Sequence, residues 1–545
     1  MNNRHKQVSP THTPEKTACA ARAKDRLPVL ARLKQWLHRS APVQTQAPDA
    51  FPPPAPESFL RIALEERGGL GDALFQLTFI KEIRKLFDKP VRIDFYTRSY
   101  GAFQHIPFVD YCADYDPEHR PLDRYDVYIS CIRCYYFLKI DQEKVQQFSP
   151  RFYRFCQDCL QLTATHFKNP NSNLFNQYAL LFGKNRLEQP DTHSILGVTR
   201  HTPTYMAFDP AELDFLRQHG LENTPYITLC RAVDGHYTPQ HPKLWPAAHY
   251  NELIAQLKKA YPSIKLVQIG AANTDILFDQ ADINLVGKTS YEQAKVLLKY
   301  ALLHIDNEGG LVHLRHQLQG RSVVLFGPTS PDIFGYEDNL NIRSIICRPC
   351  DWVSLRWTRG CLRGITPAPC MQAITPSTVF NKIKKYMDAL PHFISQILPD
   401  TQVQDILSSA SALQIAILGR QLPAWLSAAV TAGHKITVYA PDLSQPDEVF
   451  ARNCFFCRTA QKQGFTAEYG TPYNIPAKSE KFDLIYGPDL SQEKYPAYVV
   501  QELLRILKEK GHLFVYATKE ITLQVENKQL TVGRQPICIT RHKTV

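Results

Sequence analysis

The chain has 545 residues, room for three to five domains at about 100–200 residues each. Hydrophobic residues at 44% and charged residues at 21% exclude a largely disordered or collagen-like chain. Lys and Arg number 63 against 52 Asp and Glu, a net +11, and residues 1–58 alone hold nine basic and four acidic residues. A nucleic-acid binder concentrates its basic excess on a folded face, so nucleic acid is not an expected partner here. No apolar run approaches the ~18–20 residues that cross a bilayer. MNNRHKQVSPTHTPEK has no apolar core behind its charges, so no signal peptide is expected and a cytoplasmic location is. Fourteen cysteines in a reducing compartment point to metal or inert core thiols rather than a disulfide framework.

Residues 1–58 mix Pro, Thr, Ser and Gln and end in FPPPAPES, a disordered basic tail that cannot bury a core. Within it, Val29, Leu30, Leu33, Trp36 and Leu37 form one helical stripe flanked by Arg32, Lys34 and Arg39. That short amphipathic helix suits an anionic membrane face, a partner protein or the chain's own surface. From Phe59 strands and helices alternate: FLRIALEE, the glycine turn RGGLGD, a 3.6-period helix, then VRIDFYT and YDVYIS. A second α/β block starts near Pro225 with YITLCRA, KLVQIGA, LLHIDNE and RSVVLFG as strands. Two such alternations predict two doubly wound parallel sheets with ligands at the strands' carboxyl ends. A third block, LQIAILG, HKITVYA, FDLIYG and HLFVYA, alternates again.

Several positions carry chemistry. Gly68, Gly69 and Gly71 allow a sharp turn and close approach to a ligand, and Asp72 sits in the first turn of the following helix, where it could also cap it. Asp110 is a second carboxylate at a strand end. Lys243, in HPKLWP, is a cation suited to a diphosphate leaving group, with Arg231 assisting. Asp306, Asn307, Glu308, Gly309 and Gly310 end a strand and open a helix that contains His313. Glycines there present N–H groups to an anion, and the acids suit sugar or ribose hydroxyls. Cys347, Cys350, Cys361 and Cys370 follow as C-x2-C-x10-C-x8-C, a density that suits one tetrahedral all-sulfur site for iron or zinc. Cys131, Cys134, Cys156 and Cys159 lie in apolar patterns and read as buried thiols, with a second metal site as the alternative, and Cys454 and Cys457 as core.

RGGLGDALFQLTFIKEIR, HPKLWPAAHYNELIAQL, and HIDNEGGLVHL followed by VVLFGPTSP together resemble the ADP-heptose glycosyltransferases of glycosyltransferase family 9, over roughly Phe59 to Met387. The resemblance implies a GT-B fold of two Rossmann-like domains and an inverting displacement with Asp72 as general base. It places Gly327, Pro328 and Thr329 on the donor side. Asn307-Glu308-Gly309-Gly310 departs from the family's usual Asp-Thr-Gly. That form and the four cysteines resemble the subgroup that heptosylates autotransporter adhesins, which implies protein Ser/Thr acceptors, iron first and zinc second in one structural site, and a homo-oligomer. Lipopolysaccharide core or another glycan is the alternative acceptor, and a nucleic-acid-binding metalloprotein or a non-catalytic scaffold is the competing class. The third block resembles a methyltransferase fold, yet its first strand ends in LGRQLPAW, where only Gly419 remains of a glycine-rich loop and Pro423 disrupts the turn. A degenerate domain is therefore expected, without S-adenosylmethionine. The expected division is a tail at 1–58, an acceptor domain at 59–205, a donor domain at 206–398 and a methyltransferase-like domain at 399–545.

Overall fold

Three α/β blocks follow one another in this computed structural model, each built on its own sheet. The structure describes residues 59–543 apart from 88, 132–133, 166–173, 192, 232, 234–240, 272–276, 391–392, 399–400, 419–422, 441–463 and 526–527. The basic tail with its amphipathic stripe, Gly419, Cys454 and Cys457 lie outside the described residues.

The first sheet comprises β1 (Leu60–Glu66), β2 (Val91–Thr97), β3 (Tyr111–Ala113), β4 (Val127–Cys131) and β5 (Tyr135–Ile140), in the order β3-β2-β1-β4-β5. All pairs are parallel except the edge pair β4–β5. β1 is central and buried on both faces, which is why LRIALEE reads as an apolar run rather than an alternation. Helix α1 (Leu70–Arg84) leaves its carboxyl end, and α2 (Pro150–Thr165) and α3 (Leu174–Leu181) follow the sheet.

The second sheet is wholly parallel: β6 (Tyr226–Leu229), β7 (Lys265–Gln268), β8 (Ile283–Asn284), β9 (Leu303–Asn307), β10 (Ser322–Phe326) and β11 (Leu340–Arg343). Its order is β11-β10-β9-β6-β7-β8. Its helices include α4 (Ala247–Ala260), α5 (Tyr291–Tyr300), opened by a Ser290–Gln293 capping box, and α6 (Gly310–Gln317). Strand order reverses between β1 and β4 in the first sheet and between β6 and β9 in the second. Those two switch points place the loops after β1, β6 and β9 where α/β sheets bind ligands.

The third sheet runs β12-β20-β17-β16-β13-β14-β15. Its strands are β12 (Phe393–Leu398), β13 (Gln414–Leu418), β14 (Lys435–Ala440), β15 (Thr466–Tyr469), β16 (Phe482–Asp489), β17 (Leu507–Tyr516) and β20 (Ile537–Lys543). β20 is antiparallel to both its neighbours, and β18 (Ile521–Val525) and β19 (Lys528–Val532) form a separate hairpin. Helix α7 (Pro496–Ile506) passes directly into β17, although Lys508-Glu509-Lys510-Gly511 has the composition of a turn. The reason is that buried Leu507 already pairs with Phe482, and the turn becomes an irregularity at Lys510, whose φ is 60°.

All three blocks belong to one unit, Phe59–Val545. The third is pinned by a buried polar cluster. Lys299 on α5 lies 3.0 Å from Glu502 on α7 and donates to Asn474 Oδ1 (2.8 Å) and to the Leu318 carbonyl (3.1 Å). Asn474 in turn donates to the Met206 carbonyl (2.7 Å), in the segment that joins the first two blocks.

Candidate active site

The loop after β1 turns on Gly68. A Cβ there would lie 2.5 Å from Asp72 Oδ2, so any side chain would displace that carboxylate. Gly69 is the N-cap of α1 and no side chain caps the helix, so Asp72 is not spent on capping. Its side chain is 45% exposed and lies 3.6 Å from the guanidinium of buried Arg186. Beneath it sits buried Glu66, which accepts from the Gly68 N–H (2.9 Å) and from Gln76 Nε2 (3.2 Å). Burial first, then the negative charge of Asp72, hold the Glu66 carboxyl well above the usual range. Two neighbouring carboxyls thus have different surroundings: one sealed in the core, one open to the cleft. Asp110 is committed elsewhere, paired with Arg84 and accepting the Ile93 N–H (2.7 Å).

Across the cleft, the loop after β9 carries Glu308, buried and ion-paired with Lys243. Its other oxygen lies 3.2 Å from His313 Nε2, and His313 Nδ1 is 2.9 Å from the Tyr336 hydroxyl. Burial alone would raise the Glu308 carboxyl, but Lys243 and His313 outweigh it and hold the group well below the usual carboxylate range. Lys243 keeps 17% of its side chain exposed and stands 5.5 Å from the centre of the Trp357 ring. His241 is pushed down to about 3 by burial and by Lys243, so it is neutral. Arg231 follows β6 and donates from Nε to the Trp245 carbonyl (2.7 Å). Asp306 and Asn307 are buried within β9, and burial pushes the Asp306 carboxyl well above its usual range.

The two halves meet at glycines. A Cβ on Gly71 would lie 2.8 Å from His313 Cδ2, and one on Gly310 would lie 3.1 Å from Leu70 Cβ. The first turns of α1 and α6 therefore abut, with the Phe75 and His313 rings 4.7 Å apart. Gln317 Nε2 donates to the Leu74 carbonyl (2.6 Å) further along the same contact. The sequence assigns Gly310 to an anion cradle; the structure gives it this helix contact, while Gly309 makes only ordinary contacts. A chain of contacts, Asp72–Gly71–His313–Glu308–Lys243, links the exposed carboxylate of one half to the cation of the other.

Gly327, Pro328 and Thr329 lie behind this chain, against the cysteine loop. A Cβ on Gly327 would come within 2.5 Å of Met371 Sδ and 3.3 Å of Cys370 Sγ. The Pro328 carbonyl accepts the Cys350 and Asp351 N–H groups (2.7 and 3.1 Å), and Thr329 is buried. Cys370 is buried and Cys347, Cys350 and Cys361 are half-buried. Burial, then the neighbouring thiols, pushes Cys350 up to about 12 and Cys370 up to about 11, so the four share one neighbourhood. The donor set suits a thiophilic ion. As the side chains stand, no group of three or more His, Cys, Asp or Glu among the described residues is arranged to hold a metal. Cys131, Cys134, Cys156 and Cys159 are all fully buried in the first block.

Sequence reasoning missed Arg186, Glu66 and Tyr336. The Arg186 guanidinium stands 5.4 Å over the Phe75 ring, and its backbone N–H donates to the Ile333 carbonyl (2.8 Å). Its partners are far away along the chain, so no local pattern could single it out. Glu66 had a signal, a carboxylate ending an otherwise apolar strand.

Residues 166–351 match the model of glycosyltransferase family 9 (heptosyltransferase). That segment holds Lys243, Glu308 and His313 but not Asp72. Lipopolysaccharide heptosyltransferase 2 of Salmonella typhimurium is 36% identical over 120 residues, 20% of this chain and 32% of that protein. Lipopolysaccharide heptosyltransferase 1 of Escherichia coli K12 is 30% identical over 139 residues, 24% of this chain and 42% of that protein. The chain thus spans about a third to two fifths of the length of these curated relatives. A solved family 9 glycosyltransferase from Veillonella parvula aligns with 61% of this chain and 98% of its own, at 15% identity and a TM-score of 0.42, too low to add to the sequence matches.

Proposed function

We propose that the protein is a GT-B heptosyltransferase that moves a heptose from ADP-heptose to an acceptor hydroxyl in one inverting displacement. The observation that carries this reading is the linked pair at the cleft: an exposed, uncapped Asp72 and, across the Gly71–His313 contact, the Lys243–Glu308 pair. The match of residues 166–351 to a heptosyltransferase family supplies the reaction class. The acceptor oxygen attacks the anomeric carbon, its proton passes to Asp72, and the bond to the diphosphate breaks with its electron pair left on the departing phosphate. One attack needs one base and no covalent intermediate. Lys243 meets the charge that develops on the leaving group. Glu308 holds that ammonium until the diphosphate takes it over, and Arg186 fixes the position of Asp72.

Two acceptors have support. The curated relatives are named for lipopolysaccharide, which favours a core-glycan hydroxyl. The Asn307-Glu308-Gly309-Gly310 sequence and the four cysteines favour protein Ser/Thr hydroxyls. Mass spectrometry of both acceptor types after incubation with ADP-heptose separates them. Transfer to one assigns the acceptor; transfer to neither, with other sugar nucleotides equally inert, ends the proposal.

The acceptor side is read at 59–205 and the donor side from 206 onward. β12 (Phe393–Leu398) pairs with β20 in the third sheet, so the methyltransferase-like block begins at Phe393 rather than at 399. That block is read as holding no S-adenosylmethionine. A parallel sheet with antiparallel β20 inserted beside β17 supports the methyltransferase likeness. Cys347, Cys350, Cys361 and Cys370 would hold one structural iron, or zinc, bracing the loop against Pro328 and taking no part in the displacement. A homo-oligomer completes the proposal.

A further inference from the structure

The cysteine loop has two unlike faces. Its inner face is buried: Asp351 accepts from Asn176 Nδ2 on α3 (3.0 Å), and Trp357 backs Lys243. Its outer face carries Arg343, Arg348, Arg356, Arg359 and Arg363, all exposed and none in an ion pair with an acidic residue among the described residues. From Arg343 to Ile365 the single acidic residue is the buried Asp351. The exposed charge of this loop is therefore of one sign. Set among the arginines are exposed apolar side chains: Ile345 at 92%, Ile346 at 55% and Val353 at 52%. Residues 343–348 also line an open groove, with an arginine at each end.

A solvated surface does not need isoleucines between its arginines. We infer that residues 343–365 dock on an anionic lipid bilayer, the arginines at the headgroup phosphates and Ile345, Ile346 and Val353 in the boundary with the acyl chains. Charge complementarity selects that occupant. A second copy of the chain would bring five arginines against five. Single-stranded nucleic acid needs aromatic stacking platforms, whereas most of the exposed apolar groups here are aliphatic. Arginine heads and apolar side chains together are the chemistry of a membrane interface. Because the inner face of the same loop touches Lys243, docking holds the donor side of the cleft close to the membrane. The inference stands whether or not the transferred sugar is a heptose.

Vesicle flotation with the full chain tests it, using phosphatidylcholine alone and phosphatidylcholine mixed with phosphatidylglycerol. Binding is expected only to the anionic vesicles and should weaken with salt. Arg343→Gln with Arg348→Gln should weaken it about fivefold per charge removed. Ile345→Ser with Ile346→Ser should weaken it at unchanged salt dependence, with the melting temperature held because both side chains are already exposed. Leu277→Ser, exposed elsewhere, should bind as the parent does. Undiminished vesicle binding by both loop variants assigns the membrane contact to the basic tail and overturns the inference. So does binding of the loop to an oligonucleotide or an acidic protein in place of vesicles, or an equal loss in Leu277→Ser.

Discussion

Lys243 and Glu308 set opposite charges against one another in a largely buried site, so each is costly without the other. Lys243→Met should lower stability by on the order of 2 kcal/mol, because Glu308 stays buried with only His313 beside it. Adding Glu308→Gln should restore the melting temperature but not donor affinity, since the shape returns and the cation does not. Thermal melts and ADP titration of the three variants check this; recovered ADP binding in the double variant would show that Lys243 does not meet the diphosphate. Asp72→Asn keeps the shape beside Arg186 and removes the basic oxygen. Turnover should fall at least ~100-fold with donor affinity nearly unchanged. Near-normal turnover would move the base elsewhere, with Glu66, the buried carboxyl beside it, tested next.

At the scale of elements, the cysteine loop joins what the sheets leave apart. It takes the Pro328 carbonyl from the second block and Asn176 from α3 of the first block. If the four thiols close one metal site, losing any one leaves an incomplete shell, and metal binding is linked to folding. Ser variants of Cys347, Cys350, Cys361 and Cys370 should each lose metal and melting temperature together, whereas Cys131→Ser and Cys156→Ser should keep the metal. Elemental analysis decides: less than about a tenth of an iron or zinc ion per chain, in protein never exposed to chelator, removes the site. The glycine contact between α1 and α6 is the other join. Gly71 has no room for a methyl group beside His313, so the helices' first turns can touch only through glycine.

For the whole molecule, the third block is held at the segment joining the first two. Lys299 lies at the centre of that hold, and burial, opposed by Glu502 but aided by Arg505 and Arg315, pushes its ammonium down to about 7. An unfolded lysine titrates near 10.4. Between those values the unfolded chain keeps a proton that the folded chain has released, so this group makes stability rise with pH from about 7 to about 10. Below pH ~7 the charged form is buried at a cost. Relative to Lys299→Met, which leaves Glu502 its partners Arg505 and the Ile475 N–H, the parent should gain stability over that window. Denaturant unfolding across the window measures it, and a parent that loses ground as pH rises refutes the assignment.

Local pattern alone was enough for the three α/β alternations, the glycine turn before α1 and the burial of the Cys131, Cys134, Cys156 and Cys159 thiols. Apolar runs such as LRIALEE must be buried wherever they lie, and glycines next to a strand end must turn. Edge strands such as β5 and β12 and the β18–β19 hairpin escaped notice, since one exposed side leaves no clean periodicity. What Asp306, Glu308 and Gly310 face was beyond local reading, because neighbours in space are not neighbours in sequence. Only the tertiary fold decided that Glu308 holds Lys243, that Arg186 stands at Asp72, and that Gly310 meets Leu70 rather than open solvent. The Gly310–Leu70 contact depends on two switch points, in separate sheets, being brought face to face, and the other two on residues far apart in sequence meeting in space, which is a property of packing across the chain.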